Sequence, residues 1–118
     1  MSQHQVAGEL RSLSGELREE YYRNGALKRL SGLKNGKLHG PSVEFYVSGE
    51  VLGRAFFQYG RLHGAATMYR QDGWLWVDAH YSDGKLDGSY VSYHDNGSID
   101  VRTAYSGGEC DGPYKRYD

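Results

Sequence analysis

The sequence predicts an all-β protein: an elongated, curled antiparallel meander of β-hairpin repeats, each twenty-four residues long. Three observations carry that prediction. The first is a pentapeptide repeated in phase: Gly36-Lys37-Leu38-His39-Gly40, Gly60-Arg61-Leu62-His63-Gly64, Gly84-Lys85-Leu86-Asp87-Gly88 and Gly108-Glu109-Cys110-Asp111-Gly112. The second is a glycine column at Gly25, Gly49, Gly73 and Gly97, each glycine preceded by Asn, Ser or Asp. The third is a set of apolar columns at the same interval. One runs through Tyr21, Phe45, Tyr69, Tyr93 and Tyr117, another through Leu27, Val51, Leu75 and Ile99, and another through Leu33, Phe57, Tyr81 and Tyr105. Self-similarity at such a period marks an array in which each unit buries its apolar face only against its neighbours.

Residues 1–14 stand outside the repeat phase. Val6, Leu10, Leu13 and Leu17 are spaced for one helical face, whereas Gly8 and Gly15 each oppose a helix by roughly 1 kcal/mol. The segment reads as a short capping helix or as a tail. Residues 15–118 form one repeat domain, with units at about 15–36, 37–60, 61–84 and 85–108 and a half unit at 109–118. Each unit reads strand, turn, strand, turn, with hairpin signals at Asn24-Gly25, Ser48-Gly49, Asp72-Gly73 and Asn96-Gly97. Parity selects the turn. A three-residue loop ending in a left-handed glycine sets Phe45 opposite Val51 and keeps both apolar columns on one face.

Successive hairpins are expected to pair into nine or ten strands. Strict alternation gives one face Val43, Phe45, Val51, Ala55 and Phe57, and the other Glu44, Tyr46, Leu52, Arg54, Phe56 and Gln58. The tyrosines are expected to stack in a ladder. The terminal half unit leaves an open edge strand, a route to a homodimer.

Composition narrows the function classes. A net charge of −1 and a pI near 6.5 give no general attraction to nucleic acid or anionic membrane. The single cysteine, Cys110, shares a column with Leu38, Leu62 and Leu86 and is expected to be a small buried hydrophobe. The sequence contains no run of about 20 apolar residues and no secretory leader pattern at Met1 to Val6, so a soluble cytoplasmic protein is expected.

The columns resemble the MORN repeat, and more closely the MORN-variant repeats of bacterial antitoxin-like (immunity-type) proteins. The likeness rests on the Gly-Lys-Leu-x-Gly copies at 36–40 and 84–88, on Tyr21-Tyr22-x-Asn24-Gly25-x-Leu27 and on Tyr93-x-x-Asn96-Gly97-x-Ile99. It covers about residues 15–118. The resemblance implies a hairpin array serving as an interaction surface, and it carries over no catalytic residue.

Catalytic or metal chemistry would lie in residues that break the pattern. His39, His63, Asp87 and Asp111 share a turn column, but equivalent turns two strands apart lie about 10 Å from each other, too far for one zinc ion. No phosphate loop, nucleophile elbow or zinc-helix motif is present. His80 and His94 are the only acid–base candidates singled out, and lone histidines on a solvated sheet face are ordinary. No catalytic, metal or cofactor site is therefore expected. The face opposite the apolar columns turns aromatic in the middle units. By parity it gathers Tyr46, Leu52, Arg54 and Phe56 with Met68, Arg70, Trp74, Trp76, Asp78 and His80. An apolar patch rimmed by charge marks an interaction site, and Trp, Tyr, Met and Arg are enriched at interface cores. The alternative is that this face is the interior, or lies under the N-terminal segment. The leading expectation is a protein-binding module that neutralises a cognate toxin or effector by stoichiometric occlusion. A membrane-associated scaffold is the second reading, and an enzyme using His80 or His94 the third.

Overall fold

A computed structural model describes Gly8, Leu10 and residues 16–118. The described chain is a single antiparallel sheet. Its strands are β1 (Glu16–Tyr21), β2 (Leu27–Lys34), β3 (Lys37–Phe45), β4 (Val51–Gln58), β5 (Arg61–Leu62) and β6 (Gly64–Tyr69). They continue as β7 (Leu75–Ser82), β8 (Lys85–Tyr93), β9 (Ile99–Ser106), β10 (Glu109–Cys110) and β11 (Lys115–Arg116). The order is β1-β2-β3-β4-β6-β7-β8-β9-β10, with β5 against β4 and β11 against β9. The meander thus has eleven strands, because β5 and β11 are short pieces split off at the pentapeptide turns and the chain end. Its dimensions are 41 × 32 × 23 Å.

The hairpins have the turn that parity selected. Phe45 pairs with Val51, Tyr69 with Leu75, and Tyr93 with Ile99. In each loop the glycine N–H donates to the carbonyl three residues back, as from Gly49 to Tyr46 at 2.9 Å. Gly49 and Gly73 sit at φ +99° and +96°, a region closed to β-branched residues. Gly73→Val should therefore cost more than about 1 kcal/mol, while Ser106→Val on the exposed end of β9 should change little. Equal urea midpoints for the two variants would contradict the turn.

One residue beyond each hairpin the register slips, and this corrects the face assignment. Phe45 faces Val51, but Glu44 faces Gly53, so Leu52 is an extra residue in a bulge. The same slip falls between Glu20 and Tyr21, Met68 and Tyr69, and Ser92 and Tyr93. Directly opposed residues share a face. Beyond the bulge Arg54 is opposite Val43 and Ala55 is opposite Ser42, so Ala55 and Phe57 join the face of Glu44.

The face of Phe45 holds the core. Leu10, Leu30, Val43 and Phe45 are fully buried together, with Leu17, Leu27 and Val51 packed around them. Leu10 has helical backbone and covers this face. The rest of the expected N-terminal cap lies outside the described residues.

The units are tied together by a side-chain ladder of hydrogen bonds. Tyr22 Oη donates to the Phe45 carbonyl (2.6 Å), Tyr46 Oη to that of Tyr69 (2.7 Å), and Arg70 Nη2 to that of Tyr93 (3.0 Å). His94 Nε2 lies 2.8 Å from the Tyr117 carbonyl, which can only accept. The expected tyrosine ladder is replaced by this one. Among the described residues, the tyrosine rings in contact with each other are Tyr90 and Tyr105. Cys110 is another correction: it is exposed, its Sγ 3.2 Å from Thr103 Oγ1, because β11 pairs with β9 at Arg102 and Val101 and not at the level of Cys110.

Candidate functional site

The bulge divides the expected aromatic patch. Met68 remains on the face of Glu44 and Ala55, where Leu52 borders the same cleft, whereas Arg54, Thr67, Asp78 and His80 pair onto the face of Val43; Tyr46 and Arg70 sit at the hairpin ends, and the Trp76 ring lies against Arg70. Phe56, opposite Pro41, goes with the second group. Trp74 belongs to neither cluster. It stands at the end of the Asp72-Gly73 turn, its indole packed over Gly97 in the next hairpin, so that a Cβ there would lie 2.4 Å from the ring. Leu52 and Trp76 occupy equivalent bulge positions, each skipped in the pairing of its own hairpin.

Trp76 is 39% exposed, with the Arg70 guanidinium 5.0 Å over its ring. Arg70 is held on its other side by the Tyr93 carbonyl and by Asp95 at 3.6 Å. The cation is fixed by the next unit, and in turn it fixes the indole. Met68, 40% exposed, is opposite Val77 and Gly53 on the same face.

Next to Met68 and Leu52 this face opens into a cleft of about 340 Å³. Phe57, Leu62 and Tyr81 form its apolar walls. Gly53, Ala55 and Ala66 form a floor of small residues. The sheet is thin here as well: β4 and β6 share two paired positions, Gly53 with Met68 and Arg54 with Thr67. At one end stand Glu44 and Arg29, joined at 3.0 Å, with Glu20 at 3.1 Å from the same guanidinium. Burial works to lower the Arg29 pKa, but the hydrogen bonds and charges of Glu44 and Glu20 outweigh it and leave it raised. Arg29 is therefore a fixed cation between two acids. A smaller hollow of about 270 Å³ on the opposite face is bordered by Glu50, Arg54 and Tyr69.

The side chains of His39, His80, His94 and Asp87 have structural partners. His39 Nδ1 accepts from the Tyr59 N–H at 3.3 Å, and Asp87 Oδ1 accepts from the Gly107 N–H at 3.3 Å. His80 Nδ1 is 3.3 Å from Ser89 Oγ, and His94 bridges Tyr117 and Asp100. Among the described residues no three His, Cys, Asp or Glu side chains converge as a metal site would need.

Residues 62–83 match the family model described as MORN repeat variant. That stretch is similar to a MORN-variant repeat. That MORN-type unit is the one that supplies Ala66, Met68, Arg70 and Trp76 to the site. No curated protein matches the sequence. Among solved structures, a chain in "Crystal structure of accessory secretory protein 1,2 and 3 in Streptococcus pneumoniae" is similar at 18% identity and a TM-score of 0.47. The alignment covers 92% of this chain and 20% of that one.

The cleft was missed in the sequence because small residues make it. Gly53 and Ala66 depart from columns that hold Val77 and Tyr90 one unit later, and that loss of volume was the available signal.

Proposed function

We propose that the chain is a protein-binding repeat module, and that it acts as an antitoxin or immunity-type protein which occludes a cognate toxin or effector in a stoichiometric complex. The observation that carries this reading is the apolar cleft bordered by exposed Met68, with the exposed Trp76 indole of the same repeat held by Arg70. A side chain of the partner enters the cleft, and the indole, braced by Arg70, supplies flat aromatic area at little entropic cost. Arg29 with Glu20 and Glu44 at the rim sets the register of polar groups, which rim charges do better than they add affinity. The resemblance of the repeat columns to antitoxin-like proteins supports the finer role. The membrane-scaffold reading has less behind it, since anionic lipid binding wants clustered Lys and Arg and the net charge is −1.

The test is capture from the native host, followed by a growth assay in which the captured protein is expressed alone and with this chain. A toxic partner relieved at equal stoichiometry supports the proposal. A partner with no toxicity removes the antitoxin role. Flotation with anionic liposomes, with no protein retained, would favour the scaffold instead.

A further inference from the structure

The cleft has a filled counterpart in the same sheet. One repeat further on, Ala55 becomes Ala79, Phe57 becomes Tyr81, Leu62 becomes Leu86 and Tyr81 becomes Tyr105. The pairing follows the same shift: Gly64 faces Tyr81 as Gly88 faces Tyr105, and Ala66 faces Ala79 as Tyr90 faces Thr103. Of the three floor positions two grow, Gly53 to Val77 and Ala66 to Tyr90, while at the rim Leu52 becomes Trp76 and Met68 becomes Ser92. In the later unit the Tyr90 ring stands edge-on to Tyr105, centroids 5.8 Å apart at 75°. In the earlier unit the corresponding space is the open cleft, with Ala66 on its floor and Tyr81 in its wall.

The repeat thus displays its own occupant. We infer that the cleft receives a phenolic side chain, a tyrosine presented by the protein partner, seated edge-on to Tyr81 as Tyr90 is to Tyr105. This rests on the protein-binding reading above and names what the partner must offer. The walls suit an aromatic ring: Phe57 and Leu62 are apolar, and Met68 brings a thioether that packs well at ring edges. The hydroxyl is accommodated too. Ser42 and Glu44 belong to the same lining, so a phenol has acceptors there that a benzyl ring could not use. A tyrosine also costs little to immobilise, having two side-chain torsions.

The probe is p-cresol, titrated into the whole chain with the Met68 methyl signal as readout. The expected result is a saturable shift with a dissociation constant in the millimolar range. Ala66→Tyr should abolish that shift by filling the space covalently, and should raise the melting temperature by about 2 to 6 °C as a cavity-filling change. Tyr81→Leu should weaken p-cresol binding several-fold without filling anything. No saturable shift, or an undiminished one in Ala66→Tyr, overturns the inference. Should Ala66→Tyr fail to fold, unchanged p-cresol affinity in Tyr81→Leu overturns it equally. The two readings separate cleanly. A captured partner held equally by wild type and Ala66→Tyr overturns the tyrosine inference and leaves protein binding intact. Specific p-cresol binding in a chain that retains no protein overturns the functional proposal instead.

Discussion

Phe45→Ala is expected to cost about 3 to 5 kcal/mol of folding stability, the range for a large aromatic removed from a closed core. Phe45 is 0% exposed and touches the only cluster of fully buried apolar side chains among the described residues, with Leu10, Leu30 and Val43. Most of the later sheet has no such cluster, so little elsewhere can compensate. Against a total stability of about 5 to 15 kcal/mol, the loss would move the urea midpoint by a large fraction of its value. The informative partner is Phe57→Ala. Strict alternation puts Phe57 on the same face as Phe45, whereas the bulge puts it on the other face, in the wall of the open cleft. A side chain that already borders open space leaves less of a new cavity, so Phe57→Ala should cost clearly less. Matching losses for the two variants would mean that the faces are not divided as described.

The same pair shows what the sequence could and could not convey. The twenty-four-residue phase, the hairpin positions and the pairing of Phe45 with Val51 follow from columns of like residues and from the parity of the loop. The bulge one step later has no such signature. Leu52 and Trp76 are apolar like their neighbours, so the pattern of types runs on unbroken, and a single inserted residue turns every side chain beyond it to the other face. Alternation alone therefore groups Arg54, Phe56, Asp78 and His80 with a patch from which the sheet separates them. The hydrogen-bond ladder was hidden for a different reason. Tyr22, Tyr46, Arg70 and His94 share a reach and a donor but no residue type, and comparing types reads them as variation. The cleft was hidden because Gly53 and Ala66 mark it only by lacking volume.

Trp76→Ala is expected to weaken partner binding by about 2 kcal/mol or more, roughly thirty-fold in dissociation constant, as for a tryptophan at the centre of an interface. The folded chain should barely notice. The indole is 39% exposed and its recorded ring contact is the Arg70 guanidinium, worth about 0.5 to 1 kcal/mol at an exposed site. Part of that loss is offset, because Arg70 Nε is enclosed with no hydrogen-bond partner among the described residues, and removing the ring admits water to it. Arg70 itself stays anchored by the Tyr93 carbonyl and Asp95, so the neighbouring unit keeps its link. The melting temperature should therefore fall by only a few degrees. Trp74→Ala is the control for aromatic loss in general: Trp74 is 52% exposed, but its ring lies on the Gly97 turn and away from the cleft, so binding should hold. Four measurements decide the matter: a thermal melt of each variant, then titration of the captured partner against both. A stability loss of about 3 kcal/mol or more in Trp76→Ala would make the indole a core residue. Equal binding losses in the two variants would move the interface from the cleft to the row of hairpin turns, where Trp74 and Gly97 meet.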